Sequence, residues 1–542
     1  MNPESHTHGD AAGAGHHDAT ATRQSRPEAT GHGPHGHGHH GHGHHEQGHH
    51  EHGHAHGHHG EAADGPPDPR RWLILALLCM AQFMLIVDVT VVNVALPTIG
   101  AELSLGPSSL TWVVTAYTLF FGSLLLLGGR IGDLVGRRRM FLVGLALFTA
   151  ASLVSGLAES GGVLIGARAV QGVAAAVMSP AAMALVMTVF QGPERNRALG
   201  VWAAIGGTGA AFGVLIGGVL ASGPGWEWIF FVNVPIGLVV LLAVPALLKE
   251  QAVATHGHGH GHGHGEAPSG VDLPGALTMT ATPALLIYGL VQARDHGFGD
   301  QSAWLPLLGA VVGAVLFVLA ERSAATPLVR LPFLARPSMV GGSLLMLAAS
   351  GVLISAFFLC SFYLQHVLRF SALRTGLMFL PVAIATTLGA HLASQAVARL
   401  GWRVTAAAGM VLAVAGALLL TGLEREGNAW TQVLPGFLLL AFGLGTGFVC
   451  AITSAMHGVE HADAGLGSGL VNTCHELGAS LGIAVVAAVA GTSLEGGTAA
   501  SVDGFGGAFL ACAAIAAMAA VVGLTLLPKG KPDPSAGPIM AH

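Results

Sequence analysis

Long apolar runs separated by short polar joints set the pattern of this chain. The runs fall near residues 72–94, 110–128, 140–158, 161–190, 198–222, 228–248, 273–293, 303–320, 338–364, 375–398, 404–423, 430–456, 466–492 and 504–527. Each has the length of a membrane-crossing helix, since about 20 apolar residues at ~1.5 Å each span a ~30 Å hydrocarbon core. The pattern therefore predicts an all-α integral membrane protein with fourteen transmembrane helices. Two longer polar joints, Lys249–Asp272 and Glu321–Pro337, divide the runs into six, two and six. Paired six-helix halves with a site between them near the midplane are an arrangement of secondary transporters.

The expected organisation follows from those joints. Residues 1–69 form a polar His-rich tail and 70–249 a first six-helix bundle. A His-rich loop occupies 250–272, two inserted helices and a linker 273–337, a second six-helix bundle 338–528, and a short tail 529–542. A segment as polar as 1–69 buries too little apolar surface to offset its ordering entropy, so disorder is expected there. It has no apolar core of a secretory signal.

Composition sharpens the class. The chain has 542 residues, 52% hydrophobic and 10% charged, against roughly 25% charged in soluble domains. Its net charge of −6 says little, because the charges sit in joints and tails. Cys79, Cys360, Cys450, Cys474 and Cys512 all lie in apolar runs, which argues against a disulfide framework. Placing both termini in the cytoplasm puts only Arg294, Arg369, Arg374 and Arg425 outside and Arg168 within a span. All other Lys and Arg then lie inside, as cation bias requires. A multi-pass plasma-membrane protein is expected, with the lipid bilayer, a small molecule and protons as its partners. It is expected to be a monomer without nucleic acid or cofactor. No phosphate-binding loop of the Gly-x4-Gly-Lys-Ser/Thr kind is present, which argues against an ATP-driven pump, and no hydrolytic constellation suggests an enzyme.

The joint between the second and third runs carries the densest chemistry. Gly128 to Arg139 holds four cations and one carboxylate between uncharged flanks, and reads as a short cytoplasmic hairpin. Charge alone makes it a topology signal. Its order, with Gly129, Asp133, Gly136, Arg137 and Arg138 in place, resembles the signature loop of the major facilitator superfamily. The resemblance implies the major facilitator fold, and a gating role in which these residues lock neighbouring helices.

Asp88 stands inside the first run, and a carboxylate there costs several kcal/mol unless paired, hydrated or protonated. Its surroundings, Asp88-Val89-Thr90-Val91-Val92-Asn93-Val94-Ala95-Leu96-Pro97, resemble the first-helix motif of the fourteen-helix drug:proton antiporters of the EmrB/QacA type. Arg168 is the cation inside a span, within Gly166-Ala167-Arg168-Ala169-Val170-Gln171-Gly172, which resembles the superfamily's fourth-helix motif. Both residues read as about five positions from the outer ends of their runs, at similar depth, so they can pair. Such a pair is either a static buried ion pair or a switch released by protonating the carboxylate.

Gly200, Gly209, Gly213, Gly217 and Gly218 follow the spacing of the antiporter motif, with Val214 where that motif has Pro. Their other reading is close packing of small residues between helices. The stretch Trp226 to Gly237 also resembles the antiporter pattern, and its tryptophans suit a membrane interface. In the thirteenth run Asn472 and Glu476 are four apart and share a face, with His475 beside them. The antiporters more often carry Gln at the Glu476 position, so Glu476 marks a substrate preference or a second proton site. Asn93, Gln171, His391, Asn472 and His475 are candidates for the substrate cavity.

The run His256, His258, His260, His262 and His264, like the tail, presents imidazoles that bind zinc, nickel or copper. It also reads as an unstructured cytoplasmic segment that gains charge at pH 5–6. The resemblance implies export of amphipathic organic compounds by proton antiport. The His tracts leave open efflux of a metal or metal chelate, and a membrane-anchored metal-buffering or sensing protein.

Overall fold

The computed structural model describes residues 70–190, 192–248, 272–297, 299–325, 327–329, 331–459, 464–491 and 502–531. The His-rich tail and the run from His256 to His264 lie outside the described residues. The elements in chain order are α1 (Arg71–Glu102), α2 (Pro107–Val135), α3 (Arg137–Gly156), α4 (Gly161–Val189), α5 (Gly192–Ser222), a single turn α6 (Trp228–Phe231) and α7 (Asn233–Leu247). Then come α8 (Leu273–His296), α9 (Gln301–Ser323) and a single turn α10 (Leu331–Leu334). The last are α11 (Pro337–Phe362), α12 (Ala372–Leu400), α13 (Trp402–Leu419), α14 (Leu434–Ala455), α15 (Ala464–Ala490) and α16 (Asp503–Leu526).

Among the described residues, thirteen helices are long and apolar enough to cross a membrane. The 31-residue α5 is the remaining expected crossing, and its described apolar stretch is Phe212–Ser222. The helices begin where the sequence supplies a start. Pro107, Pro274 and Pro337 occupy first-turn positions, where the missing N–H is no loss. Asp272, Asp300 and Ser371 cap α8, α9 and α12 through Gly275 N, Ser302 N and Arg374 N.

The packing divides the helices into two sets. In the first, α2 and α3 pack on α4, α1 on α5, and α3 on α7; in the second, α11 packs on α14 and α15, α12 on α14, and α13 on α14 and α16. The sets meet along two seams, α2 with α15 and α5 with α12. The inserted α8 and α9 pair with each other, and α8 rests against both helices of the first seam. Direct hydrogen bonds cross between the sets. Thr118 and Ser480 share one at 2.5 Å, Gln365 Nε2 donates to Val94 O at 2.8 Å, and Leu373 N donates to Ser222 Oγ at 2.8 Å.

Several sequence expectations change. The Gly128–Arg139 joint is not a loop: α2 runs through Asp133 to Val135, and α3 starts at Arg137. Gly136 alone makes the turn, at φ +113°, a conformation that L side chains rarely adopt. The first crossing does not stop near residue 94; α1 continues past Pro97 to Glu102. Asp88 therefore stands near the middle of its helix rather than near an end. The sixth crossing breaks at Val232 into α6 and α7. Trp226 is packed inside the protein rather than on its surface: it is buried and its Nε1 donates to Glu102 at 3.0 Å, whereas Trp228 is half exposed. All five cysteines are free.

Candidate functional site

Asp88 and Arg168 are each 1% exposed, and they meet. Arg168 Nη1 donates to Asp88 Oδ2, its Nε donates to Val113 O at 3.1 Å, and its guanidinium lies 4.3 Å from the centre of the Tyr117 ring. The other carboxylate oxygen is held by a second residue of α4 and by the first residue of α7. Gln171 Nε2 donates to Asp88 Oδ1 at 3.2 Å and Asn233 Nδ2 at 3.0 Å. Gln171 also donates to Ser152 Oγ at 2.8 Å and accepts from Arg168 at 3.0 Å and Ser155 at 3.4 Å. One carboxylate in α1 thus joins α4 and the first residue of α7 directly, and α3 through Gln171 and Ser152. An unpaired charge in such a place is strongly destabilising, by roughly 3–5 kcal/mol when one partner of a buried pair is removed.

The sequence brought Asp88, Arg168 and Gln171 into view. It did not single out Asn233, Ser152, Ser155 or Tyr117. The only signal for Asn233 was an amide inside an apolar run just before Pro235. The two serines gave none, because a lone hydroxyl in an apolar helix usually bonds its own backbone. Gln171, expected in the substrate cavity, is instead a direct partner of the carboxylate. Asn93 is 3% exposed; its Nδ2 donates to Val89 O at 2.9 Å, while its Oδ1 is buried without a partner.

The second cluster sits on the α2–α15 seam. Glu476 is 7% exposed and pairs with His475 Nδ1 at 3.1 Å. A Cβ added at Gly122 of α2 would come within 2.6 Å of Glu476 Cβ, so the seam closes tightly here. Ser350 Oγ donates to His475 O at 2.7 Å, and the His475 ring lies 5.8 Å from Phe448. Asn472 does not share the surroundings of Glu476. It is exposed, because residues four apart are rotated by about 40° on a helix of 3.6 residues per turn, and the seam covers only one of them. Tyr117 stands between the clusters: it stacks on Arg168 and is within electrostatic reach of both Asp88 and Glu476. His391 lies apart, exposed on α12 beside Gln395 at 3.2 Å.

The antiporter-motif glycines form a packing face. Added Cβ atoms at Gly209, Gly213 and Gly217 would meet Ile86, Thr90 and Val91 of α1, and one at Gly218 would meet Ala372 and Leu373 of α12. Gly200 lies in the first half of the same helix. With Val214 in place of Pro, α5 is a continuous helix from Gly192 to Ser222. In the signature segment Asp133 binds Arg137 at 3.0 Å across the Gly136 turn. Arg138 Nη2 donates to Pro245 O at 3.2 Å, tying α3 to the end of α7, and Gly129 packs on Pro180 of α4.

Two helical sets joined along two seams, with buried ionisable groups in the set interior and on one seam, define a polytopic membrane transporter rather than an enzyme. The chain belongs to the Major Facilitator Superfamily, whose family profile matches residues 78–483. It is 37% identical over 445 residues to the cephamycin export protein CmcT of Amycolatopsis lactamdurans, covering 81% of this chain and 89% of that one. It is also 37% identical over 430 residues to the puromycin resistance protein pur8 of Streptomyces alboniger, covering 78% and 83%. With the multidrug resistance protein Stp of Mycobacterium tuberculosis (strain CDC 1551 / Oshkosh) it shares 32% over 418 residues, covering 77% and 75%. Among solved structures, a bacterial homologue of the human lysosomal transporter Spinster aligns with a TM-score of 0.58 at 17% identity, covering 84% of this chain and 97% of that one. The nucleoside transporter NupG aligns at 0.59 and 11%, covering 84% and 100%. These two establish the fold alone. The chain is thus a multi-pass transporter of the cell membrane.

Proposed function

We infer that this protein exports amphipathic organic compounds across the cell membrane, driven by inward movement of protons. The relatives named as export and resistance proteins supply the substrate class, and the Asp88 cluster supports the coupling. The observation that carries the reading is a carboxylate fully buried in a membrane helix and bound by Arg168 and Gln171 of α4 and by Asn233 of α7. Each of those bonds is stronger to the ionised form than to the protonated one. A proton arriving on Asp88 removes the charge that holds Arg168, Gln171 and Asn233 together, and so loosens α1 from α4 and α7. Loss of the proton restores the lattice. The two states differ in which helices are bound, which is what coupling a proton to a conformational change requires.

In this reading the end of the bundle with the Asp133–Arg137 pair faces the cytoplasm, following the cation bias. Asp133, Arg137 and Arg138 act there as the gate, and Glu476 with His475 is a second protonatable pair at the seam. The test is transport in inverted vesicles with an imposed pH gradient, using a panel of organic cations and neutral drugs. Asp88→Asn is expected to abolish gradient-driven uptake while the protein still inserts and binds drug. Wild-type gradient dependence in Asp88→Asn would overturn the coupling assignment. Failure of every organic compound in the panel, with a metal transported instead, would overturn the substrate class.

A further inference from the structure

Among the described residues, a pair of carboxylates outside the transport cluster has no cation as a partner. Asp272, the residue capping α8, is 6% exposed, and Glu321, in the last turn of α9, is 4% exposed. One oxygen of each is accounted for: Asp272 Oδ1 accepts from Gly275 N at 2.7 Å, and Glu321 Oε2 accepts from Val329 N at 3.0 Å. The other two, Asp272 Oδ2 and Glu321 Oε1, are buried with no hydrogen-bond partner among the described residues.

These two free oxygens converge. A Cβ built at Gly275 would stand 2.4 Å from Asp272 Oδ2 and 2.8 Å from Glu321 Oε1. They are therefore at most about 5 Å apart, a range in which two like charges screened from water repel by several kcal/mol. Among the described residues, the charged groups on the surrounding elements are engaged or turned elsewhere. Arg322, next in α9, is exposed; α2 carries Arg130 and Asp133, both exposed; α15 carries Glu476 and His475, which pair with each other. The stretch 327–329 that covers Glu321 has no titratable side chain.

We propose that Asp272 and Glu321 form a proton-binding site that holds one proton between Oδ2 and Oε1 and fastens the end of the inserted helix pair to the segment leading into α10. A single proton supplies the missing donor and satisfies both orphaned oxygens with one O–H···O⁻ bond. Helix dipoles decide where it resides. The N-terminus of α8 favours the charge on Asp272, and the C-terminus of α9 disfavours one on Glu321, so Glu321 Oε1 carries the proton and Asp272 Oδ2 accepts. The bond links α8, α9 and residue 329. Because α8 rests on both α2 and α15, the state of this site bears on the seam between the helix sets. It lies apart from Asp88 and does not depend on the transport reading.

The experiment is infrared difference spectroscopy on the full chain in lipid vesicles, at neutral pH, with chelator present. Wild type minus Glu321→Gln is expected to show the carbonyl stretch of a protonated buried carboxyl, and Asp272→Asn to shift that band by removing its charged acceptor. Both amide variants can fold, since each amide N–H replaces the shared proton. Their thermal unfolding should lose the decline that wild type shows as the pH rises and the proton leaves. Absence of the band in the Glu321→Gln difference would overturn the proposal. So would a wild-type stability that falls on chelation at constant pH, which would mean that a divalent cation bridges the pair.

Discussion

Asn233 and Gln171 each place an N–H on Asp88 Oδ1, and such bonds to a charged group are worth about 1.5–3 kcal/mol. Replacing Asn233 by Leu removes a donor that favours the ionised form over the protonated one. The pH dependence of efflux should then move to higher pH by roughly one unit or more, since ~1.4 kcal/mol corresponds to one unit. An unchanged pH profile with unchanged drug binding would take Asn233 out of the coupling lattice. At the second cluster, Glu476→Gln removes the carboxylate paired with His475. A seam carboxylate in low dielectric attracts cations, so the ratio of cationic to neutral drug efflux should fall. An unaltered ratio in competition assays would reduce Glu476 to packing. Asp88 and Arg168 were legible as single residues because a charge in an apolar run has no other explanation. Ser152, Ser155 and Asn233 were not, because their significance is only that they surround Asp88.

At the scale of elements, the α1–α5 contact is set by glycine. A Cβ at Gly213 would come within 1.8 Å of Thr90 Oγ1 and 3.0 Å of its Cβ. Gly213→Ala should destabilise the protein by about 1–3 kcal/mol, the usual cost of overpacking. Thr90→Ala, which removes the clashing oxygen, should restore part of the loss; thermal unfolding of the two single variants and the double variant measures it. Additive losses would show that the two residues do not meet. The apolar runs made the helices readable from period and length alone, but their ends were not. The α1 helix outlasts its purely apolar run because Glu102 finds Trp226 Nε1. The α2 helix runs through Asp133 because that side chain binds Arg137 one turn on, beyond Gly136. Both are contacts between residues that a hydropathy pattern treats as breaks.

At the scale of the whole molecule, movement of the two helix sets must break what joins them. Thr118 and Ser480 touch across the α2–α15 seam with oxygens 2.5 Å apart. Because the two hydroxyl oxygens touch, Thr118→Cys with Ser480→Cys is expected to form a disulfide on oxidation. The cross-linked protein should lose transport and regain it on reduction. Full activity of the cross-linked form would mean that this seam does not open during the cycle. The His tracts lie outside every apolar run. Cells carrying a deletion of residues 1–69, or His256 to His264 replaced by Ser, should therefore keep dye efflux. Loss of metal tolerance with dye efflux intact would favour the metal-efflux reading instead.

The sequence by itself determined the medium, an all-helical chain of thirteen to fourteen crossings, and the family motifs. Apolar length, cation bias and an isolated buried charge are each properties of one stretch of chain, and the bilayer penalises exceptions to them locally. Tertiary structure decided the rest. That Gln171 serves the carboxylate rather than a cavity follows from which helices pack together. So does the separation of Asn472 from Glu476, and the convergence of two acids from the N-cap of α8 and the last turn of α9. None of these is encoded in spacing along the chain, because each depends on the relative rotation of helices distant in sequence. That rotation is set by close packing of small residues such as Gly122 and Gly213 against whatever faces them.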